Sequence, residues 1–340
     1  MNILLTGGAG YIGSHTAVVL SEAGHEVVIL DNLCNSDKCV LHRIAKILSY
    51  PLTFIEGDVR DTFLVKKILY EFKIDAVMHF AGLKSVGESI EEPINYFWNN
   101  VQGTISLLQA MEEVNVKTLV FSSSATVYGK PQYLPLDEKH PTSVINPYGR
   151  NKLHIEEMLS DVVATNKEWR VISLRYFNPV GAHDSGLIGE DPRGIPNNLV
   201  PHLANVASGA ISYLNVYGND YETHDGTAVR DYIHVMDLAE GHLSALKYIV
   251  KQEGFHLVNL GTGIGTSVLE MIKAYEAANN LKISYQFTSR RTGDVDKCFA
   301  DVKKAKFQLG WEAKRTLSQM CQSSWHWQQT KNNSNYIGEK

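Results

Sequence analysis

Tyr148 and Lys152 stand four positions apart in the run Pro147-Tyr148-Gly149-Arg150-Asn151-Lys152, and that spacing could do proton chemistry. On a helix the two side chains share one face, a turn apart. A free phenol has a pKa of about 10, too high for a base at neutral pH. An ammonium group beside it favours the phenolate and lowers that value. The pair is therefore a way to turn tyrosine into a general base. Taken alone, such an i, i+4 pair is more often incidental. Ser124 changes the balance, because it falls at the end of a predicted strand upstream on the same sheet. Its neighbours Ser122 and Ser123 can be read as no more than a capping turn.

The second chemical feature opens the chain: Thr6-Gly7-Gly8-Ala9-Gly10-Tyr11-Ile12-Gly13. Gly7, Gly10 and Gly13 lie between an apolar strand, Ile3 to Leu5, and a helix with apolar positions Ile12, Val18, Val19 and Leu20. Glycines allow a tight turn and close approach to a pyrophosphate, and the helix N-terminus offers free N–H groups to its charge. A glycine pattern by itself also closes ordinary turns. Here a second strand, Glu26 to Leu30, ends in Asp31, roughly 20 residues past the glycines, where an acid can hold a ribose 2′-hydroxyl. That acid would repel a 2′-phosphate, so the pattern favours NAD over NADP. Asn32, Leu33, Cys34, Asn35 and Ser36 are placed to wrap the adenosine end. The positive nicotinamide of such a cofactor would further favour a Tyr148 phenolate.

The elements that must position these groups alternate. Strands are predicted at 52–56, 76–80, 118–121 and 171–175, with helices at 40–48, 63–72, 95–114 and from Pro147. Alternation of this kind predicts an α/β fold, a doubly wound parallel sheet of Rossmann type with helices on both faces. Ligands then bind at the carboxyl ends of the strands, where Asp58, the segment Phe80 to Lys84 and Ser124 all fall. From Asn178 to about Asp231 the chain is rich in Gly, Pro and Asn and reads as a smaller, loop-rich substrate region. Helices resume at 235–248, 268–278 and 317–329, with a strand at 256–260. The tail from Lys331 is polar and expected to fray. The expected division is a dinucleotide-binding domain over 1–177 and a substrate domain over 178–340, with the chain free to cross back.

Composition bounds the rest. The 340 residues are 44% hydrophobic and 20% charged, with a net charge of −5, as expected of a globular protein of about two lobes. There is no basic patch to suggest nucleic acid and no apolar run near the roughly 18 residues of a membrane span. The first strand begins at once, leaving no room for a signal peptide, so the expected location is cytoplasmic. Cys34, Cys39, Cys298 and Cys321 include no C-x-x-C pair and read as free thiols, with no metal site.

The combination of the opening glycine motif, Phe80-Ala81-Gly82-Leu83-Lys84, Ser122 to Gly129 (SSSATVYG) and Tyr148-x-x-x-Lys152 resembles the extended short-chain dehydrogenase/reductase family. Within it, the branch of UDP-hexose 4-epimerases is matched closely through Arg175 to Ala182 (RYFNPVGA), Gly189 to Leu199 (GEDPRGIPNNL), Val229 to Asp237 (VRDYIHVMD), Asn259-Leu260-Gly261 and Arg290 to Asp294. The resemblance covers nearly the whole chain. It implies NAD contacts from Tyr11, Ile12, Asp31 to Ser36, Asp58, Val59, Phe80, Ala81, Gly82, Leu83, Lys84, Asn99, Ser124, Tyr148, Lys152 and Phe177. It implies that Tyr148 is the base, that Lys152 tunes it and binds the nicotinamide ribose, and that Ser124 bridges Tyr148 and the sugar hydroxyl. It implies a UDP-sugar site from Lys84, Ser124, Tyr148, Asn178, Asn198, Leu199, Asn215, Val216, Tyr217, Arg230, Arg291 and Asp294. The guanidinium forks of Arg230 and Arg291 suit phosphate oxygens, although lone arginines are often surface ion pairs.

The activity implied is interconversion of UDP-glucose and UDP-galactose through a transient 4-keto sugar, with NAD tightly bound and regenerated, in a homodimer. Cys298 extends it. The position four residues past Asp294 resembles a gate beside the sugar C2 substituent, where a small residue leaves room for an N-acetyl group. UDP-N-acetylglucosamine and UDP-N-acetylgalactosamine are then expected substrates too. Cysteine is also an ordinary small buried hydrophobe. Two other readings remain. A nucleotide-sugar dehydratase of the same superfamily would carry an Asp-Glu pair beside Ser124, where this chain has Ala125-Thr126. A non-catalytic NAD-sensing regulator would usually lack the Tyr and Lys.

Overall fold

The computed structural model describes residues 1–193, 196, 198–291 and 293–336, and side chains as far as 332. In chain order, its elements begin with β1 (Asn2–Thr6), α1 (Tyr11–Glu22), β2 (Glu26–Asp31), α2 (Cys39–Leu48), β3 (Thr53–Glu56), α3 (Thr62–Glu71) and β4 (Ala76–His79). Next come α4 (Val86–Glu91), α5 (Pro93–Tyr96), α6 (Gly103–Glu113), β5 (Thr118–Ser124), α7 (Pro147–Thr165), β6 (Arg170–Tyr176) and β7 (Asn178–Val180). The remainder runs through α8 (Leu199–Ala207), β8 (Leu214–Tyr217), β9 (Val229–His234), α9 (Val235–Ile249), β10 (Gly254–Leu260), β11 (Gly265–Ser267), α10 (Val268–Asn279), β12 (Tyr285–Thr288), β13 (Lys297–Cys298) and α11 (Leu317–Tyr336).

Seven strands form one parallel sheet in the order β3-β2-β1-β4-β5-β6-β10. Both faces are covered, so its strands are apolar almost throughout. Successive side chains serve opposite layers, as the two-residue period requires. Ile3, Leu5, Val27 and Ile29 pack with Val18 and Leu20 of α1 and Leu246 of α9. Leu4, Val28 and Leu30 pack with Val65 of α3, Leu107 of α6 and Leu159 of α7. The strand order reverses between β1 and β4, and the crevice at such a reversal is where α/β sheets bind ligands. The glycine turn after β1 and the segment after β4 meet there.

The smaller lobe has its own core, in which Leu203 of α8, Met271 and Tyr275 of α10 and Met320 of α11 pack on Val216 and Tyr232. Its strands form two small sheets, β11-β9-β13 with β7 beside β9, and β12 beside β8. The chain returns to the large sheet in between: β10 pairs with β6, and α9 packs on α1 through Val235, Met236 and Ala239.

Several expectations need correction. The helix predicted over 95–114 is not one α-helix: α5 passes into a π-helical stretch, Phe97–Gln102, and then into α6, and a separate α4 precedes it. The region 178–231, read as loops, contains α8, β7, β8 and β9. The last helix does not end at 329. It continues to Tyr336, through the part of the tail expected to fray, because i→i−4 bonds are available to a polar face as readily as to an apolar one.

Candidate active site

The cofactor end is built by backbone geometry. Gly7 has φ +71°, and a Cβ there would lie 2.6 Å from the Ala81 nitrogen; a Cβ on Gly13 would lie 2.5 Å from the Gly7 carbonyl. Only glycine fits both places. Gly10 caps α1 with no side-chain hydrogen bond, which leaves the helix N-terminus to backbone groups and to any anion that arrives. Asp31, nearly buried at the end of β2, accepts from the Ala9 N–H at 3.0 Å, the Leu33 N–H at 2.8 Å and the Ser36 hydroxyl at 3.0 Å. It ties the glycine turn to the following loop, in which Leu33 holds a left-handed φ of 57°. Cys34 is exposed in this loop, and its N–H donates to Asn32 Oδ1 at 3.1 Å. The Asn35 side chain accepts from the Arg193 N–H at 3.2 Å, joining the loop to the smaller lobe.

Asp58 receives Asn32 Nδ2 at 3.0 Å and pairs with Arg60 at 2.6 Å. The Arg60 guanidinium holds its carboxyl down at about 2. Val59 packs against the second face of the sheet, and Ile12 against the first. Tyr11 donates to the Gly181 carbonyl at 2.6 Å, a second link between lobes. Phe80 lies against the His242 ring, 4.9 Å between centroids. After it, Leu83 is gripped at both backbone groups by Asn100, N–H to Oδ1 at 2.8 Å and Nδ2 to carbonyl at 3.0 Å. Asn99 donates to the same Oδ1 at 3.1 Å. Both asparagines come from the π-helical stretch, a deformation often found at functional sites.

The proton-handling groups sit at the ends of β5 and α7. Asn146 caps α7 on the Gly149 N–H at 2.7 Å, and Pro147 occupies its first position, so helix geometry sets Tyr148 and Lys152 on one face. Lys152 is buried. Its Nζ donates to the Ser122 carbonyl at 2.6 Å and lies 5.8 Å from the Tyr148 ring centroid. Burial lowers its pKa to about 8, opposed by the charge of Glu156 one turn on. Burial pushes the Tyr148 phenol up to about 12, the reverse of the lowering expected beside Lys152, because desolvation of the phenolate outweighs the pull of Ser124. Gly82 approaches this group closely: a Cβ there would lie 3.9 Å from Lys152 Nζ.

The smaller lobe adds a charged cluster. Asp294 pairs with Arg230 at 3.4 Å and with Arg291 at 3.1 Å, bringing two guanidinium groups together. Arg291 also lies over the Tyr217 ring, 4.9 Å from its centroid. Asn215 accepts from Gln286 at 2.9 Å, whereas the Val216 side chain is turned into the core, so only its backbone faces outward contacts. Cys298 pairs in register with Arg230 and packs in a cluster with Ala125 and Phe177, and burial raises its thiol to about 11. Phe177 donates its N–H to the Leu260 carbonyl at 3.2 Å, and Asn178 follows it into β7. Leu199 opens α8, packed on the small core. Gly194, Ile195 and Asn197 of the GEDPRGIPNNL block, and Thr292 beside Arg291, lie outside the described residues.

Three residues at this site were not singled out from sequence. Glu190 accepts from Lys84 at 3.1 Å and Asn198 at 2.7 Å, tying the two lobes together. Asn100 holds Leu83, as above. Glu156, buried, accepts Ser123 Oγ at 2.6 Å and both Nε and Nη2 of Arg175, at 3.0 and 2.6 Å. A signal for Glu156 exists: Tyr148, Lys152 and Glu156 repeat every four residues along one helix face.

The fold and this site define an extended short-chain dehydrogenase/reductase. A family model described as GDP-mannose 4,6 dehydratase matches residues 4–324. The chain is 55% identical to a UDP-glucose 4-epimerase of Bacillus subtilis over 96% of this chain and 97% of that protein. It superposes with a TM-score of 0.96 on the UDP-glucose 4-epimerase of Stenotrophomonas maltophila, solved with bound NAD and formylated UDP-arabinopyranose, at 49% identity and covering 98% and 99% of the two chains. A UDP-Glc/GlcNAc 4-epimerase of Campylobacter jejuni aligns with a TM-score of 0.83 and 36% identity over 97% and 99%. The chain belongs to the UDP-glucose 4-epimerase family.

Proposed function

We propose that this protein interconverts UDP-glucose and UDP-galactose, and likewise UDP-N-acetylglucosamine and UDP-N-acetylgalactosamine, by transient oxidation at C4 of the sugar. The observation that carries the reading is the set of Ser124 at the end of β5 with Tyr148 and Lys152 on the first turns of α7, beside a glycine cradle that side chains would fill. That cradle, the bare N-terminus of α1 and Asp31 suit NAD, which would be held by residues 1–177 with the returning segment 235–260. NAD, when bound, supplies a reversible acceptor for the C4 hydrogen, so a 4-keto sugar forms transiently and the cofactor is restored each turnover.

The remaining work falls to the protein. Tyr148 takes the proton of the C4 hydroxyl and later returns it. The Lys152 ammonium favours the phenolate, and Ser124 hydrogen-bonds it. Arg230 and Arg291 hold the diphosphate, with Asp294 keeping the two guanidinium groups side by side. The nucleotide is thereby anchored while the keto ring turns to present its other face. Asn178, Asn198, Leu199 and the backbone around Asn215 to Tyr217 complete the UDP site in the smaller lobe. Cys298, small and packed beside Ala125 and Phe177, leaves room for an N-acetyl group.

The dehydratase branch differs by an acid pair beside the serine; Ala125 and Thr126 supply none. Incubating purified protein with each UDP-sugar and following products by NMR tests the assignment. Loss of water from the sugar would favour dehydration, and no conversion would favour a regulator. We also infer a cytoplasmic homodimer. Free thiols at Cys34, Cys39, Cys298 and Cys321 fit a reducing compartment. Ile94 and Trp98, 84% and 57% exposed on the stretch that leads into α6, offer an apolar face to a second copy. Light scattering of the pure protein reads that state.

A further inference from the structure

We propose that Thr126 is a positioning residue, which fixes the direction of the Ser124 hydroxyl so that its one proton points to Tyr148. This inference rests on the epimerase reading and adds a residue to it. A serine hydroxyl has one proton to give and two lone pairs to receive. Thr126 fills both lone pairs: its N–H donates to Ser124 Oγ at 3.2 Å, and its own hydroxyl donates at 2.9 Å. With both lone pairs filled by Thr126, only donation is left to Ser124, and its hydroxyl counters part of the upward push of burial on the Tyr148 phenol. A donor facing the phenol oxygen stabilises the phenolate, the form that acts as base. A serine free to rotate could instead accept from the neutral phenol and stabilise the inactive form.

Thr126 is itself held in place. It lies in a short 3-10 turn, Ala125–Tyr128, that follows β5 directly. Its carbonyl accepts the Gly129 N–H at 3.3 Å. The same carbonyl lies 3.0 Å from where a Cβ on Gly149 would be, the residue after Tyr148. One turn of chain therefore spans from Ser124 to the start of α7, and it carries the hydroxyl that orients the serine proton.

Thr126→Val keeps the shape and removes the hydroxyl; Thr126→Ser restores it. The experiment compares wild type and both variants in two readouts. One is NMR titration of Tyr148 in protein labelled at tyrosine Cζ, with Tyr148→Phe identifying the resonance. The other is kcat and KM for UDP-galactose against pH. The expected result for Thr126→Val is an upward shift of the Tyr148 titration and of the acid limb of kcat by about one pH unit, a tenfold change in phenolate. KM should stay within about twofold, as for a group acting on the chemical step, and Thr126→Ser should return both profiles to wild type. An unshifted titration in Thr126→Val overturns the proposal. A downward shift also overturns it, because Ser124 would then have been donating to Thr126. If wild type converts no UDP-sugar, the epimerase reading falls, and the NMR titration still decides the role of Thr126.

Discussion

Lys152 is 5% exposed, roofed by Gly82 and bonded to a strand carbonyl, whereas the Arg291 side chain in the smaller lobe is 53% exposed and held by Asp294 and the face of Tyr217. The proposed function assigns both cations to the NAD and UDP-sugar pair, yet their surroundings differ in kind. The catalytic wall is fixed by backbone: β5 and β6 in register up to Ser124 and Tyr176, and α7 capped by Asn146. Behind it, Glu156 and Arg175 form a buried pair. The proposed nucleotide clamp is fixed by charge at a partly open surface. A reaction that turns a sugar over within one site needs both: a proton-handling group that cannot drift, and a grip that tolerates motion of the ligand. Hydrogen bonds preorganised in a dry site retain more of their strength than solvated ion pairs.

The largest effect expected from this contrast is on acid stability, since the interior around the large sheet also holds neutral histidines. Burial lowers His15 and His79 to about 3 and His234 and His242 to about 4. In the unfolded chain each titrates near 6.5. The unfolded state therefore binds more protons below that pH, so stability is full above about 6.5 and declines as pH falls toward 4. Each such histidine contributes a slope of up to about 1.4 kcal/mol per pH unit. Denaturant unfolding at pH 7, 6 and 5 should show a steep decline. Constant stability over that range would mean that the buried interior is not closed to protons as described.

Next in size is the base itself. Tyr148→Phe keeps the ring and removes the proton acceptor, and turnover should fall at least ~10² with NAD still bound and the fold unchanged by circular dichroism. Near-normal turnover in that variant would place the base elsewhere.

The smallest effect belongs to the other lobe. Cys298→Tyr should lower kcat/KM for the N-acetylated pair by the equivalent of ~1–3 kcal/mol, the usual cost of overfilling a packed site. The unmodified pair should be little affected. Equal losses on both pairs, or no wild-type activity on the acetylated pair, would remove Cys298 as a gate and leave the rest of the site standing.

The contrast also explains what could be read from residues alone. The large sheet was legible because both its faces are buried and its strands and helices carry their periods openly. Gly7 and Gly13 were legible because their backbone demands leave few substitutes. The π-helical stretch was not, since a shift in backbone hydrogen bonding around Asn99 and Asn100 leaves no composition signal. Helix α8 was hidden by Pro201, which is tolerated there only because the first turn of a helix needs no donor. Strands β11 and β13 are three and two residues long and exist through pairing with β9. Glu190 looks in sequence like any surface acid; its meaning comes from Lys84 and Asn198, which are distant in the chain and converge on it in space.

The central claim is that the C4 hydrogen leaves the sugar and returns to it inside one closed site. Running the UDP-glucose and UDP-galactose interconversion in deuterated water, and examining C4 of both sugars by NMR, tests this directly. The account predicts epimerisation to the equilibrium mixture with ordinary hydrogen retained at C4 of both sugars. Substantial deuterium at C4 in the epimerised product would contradict it.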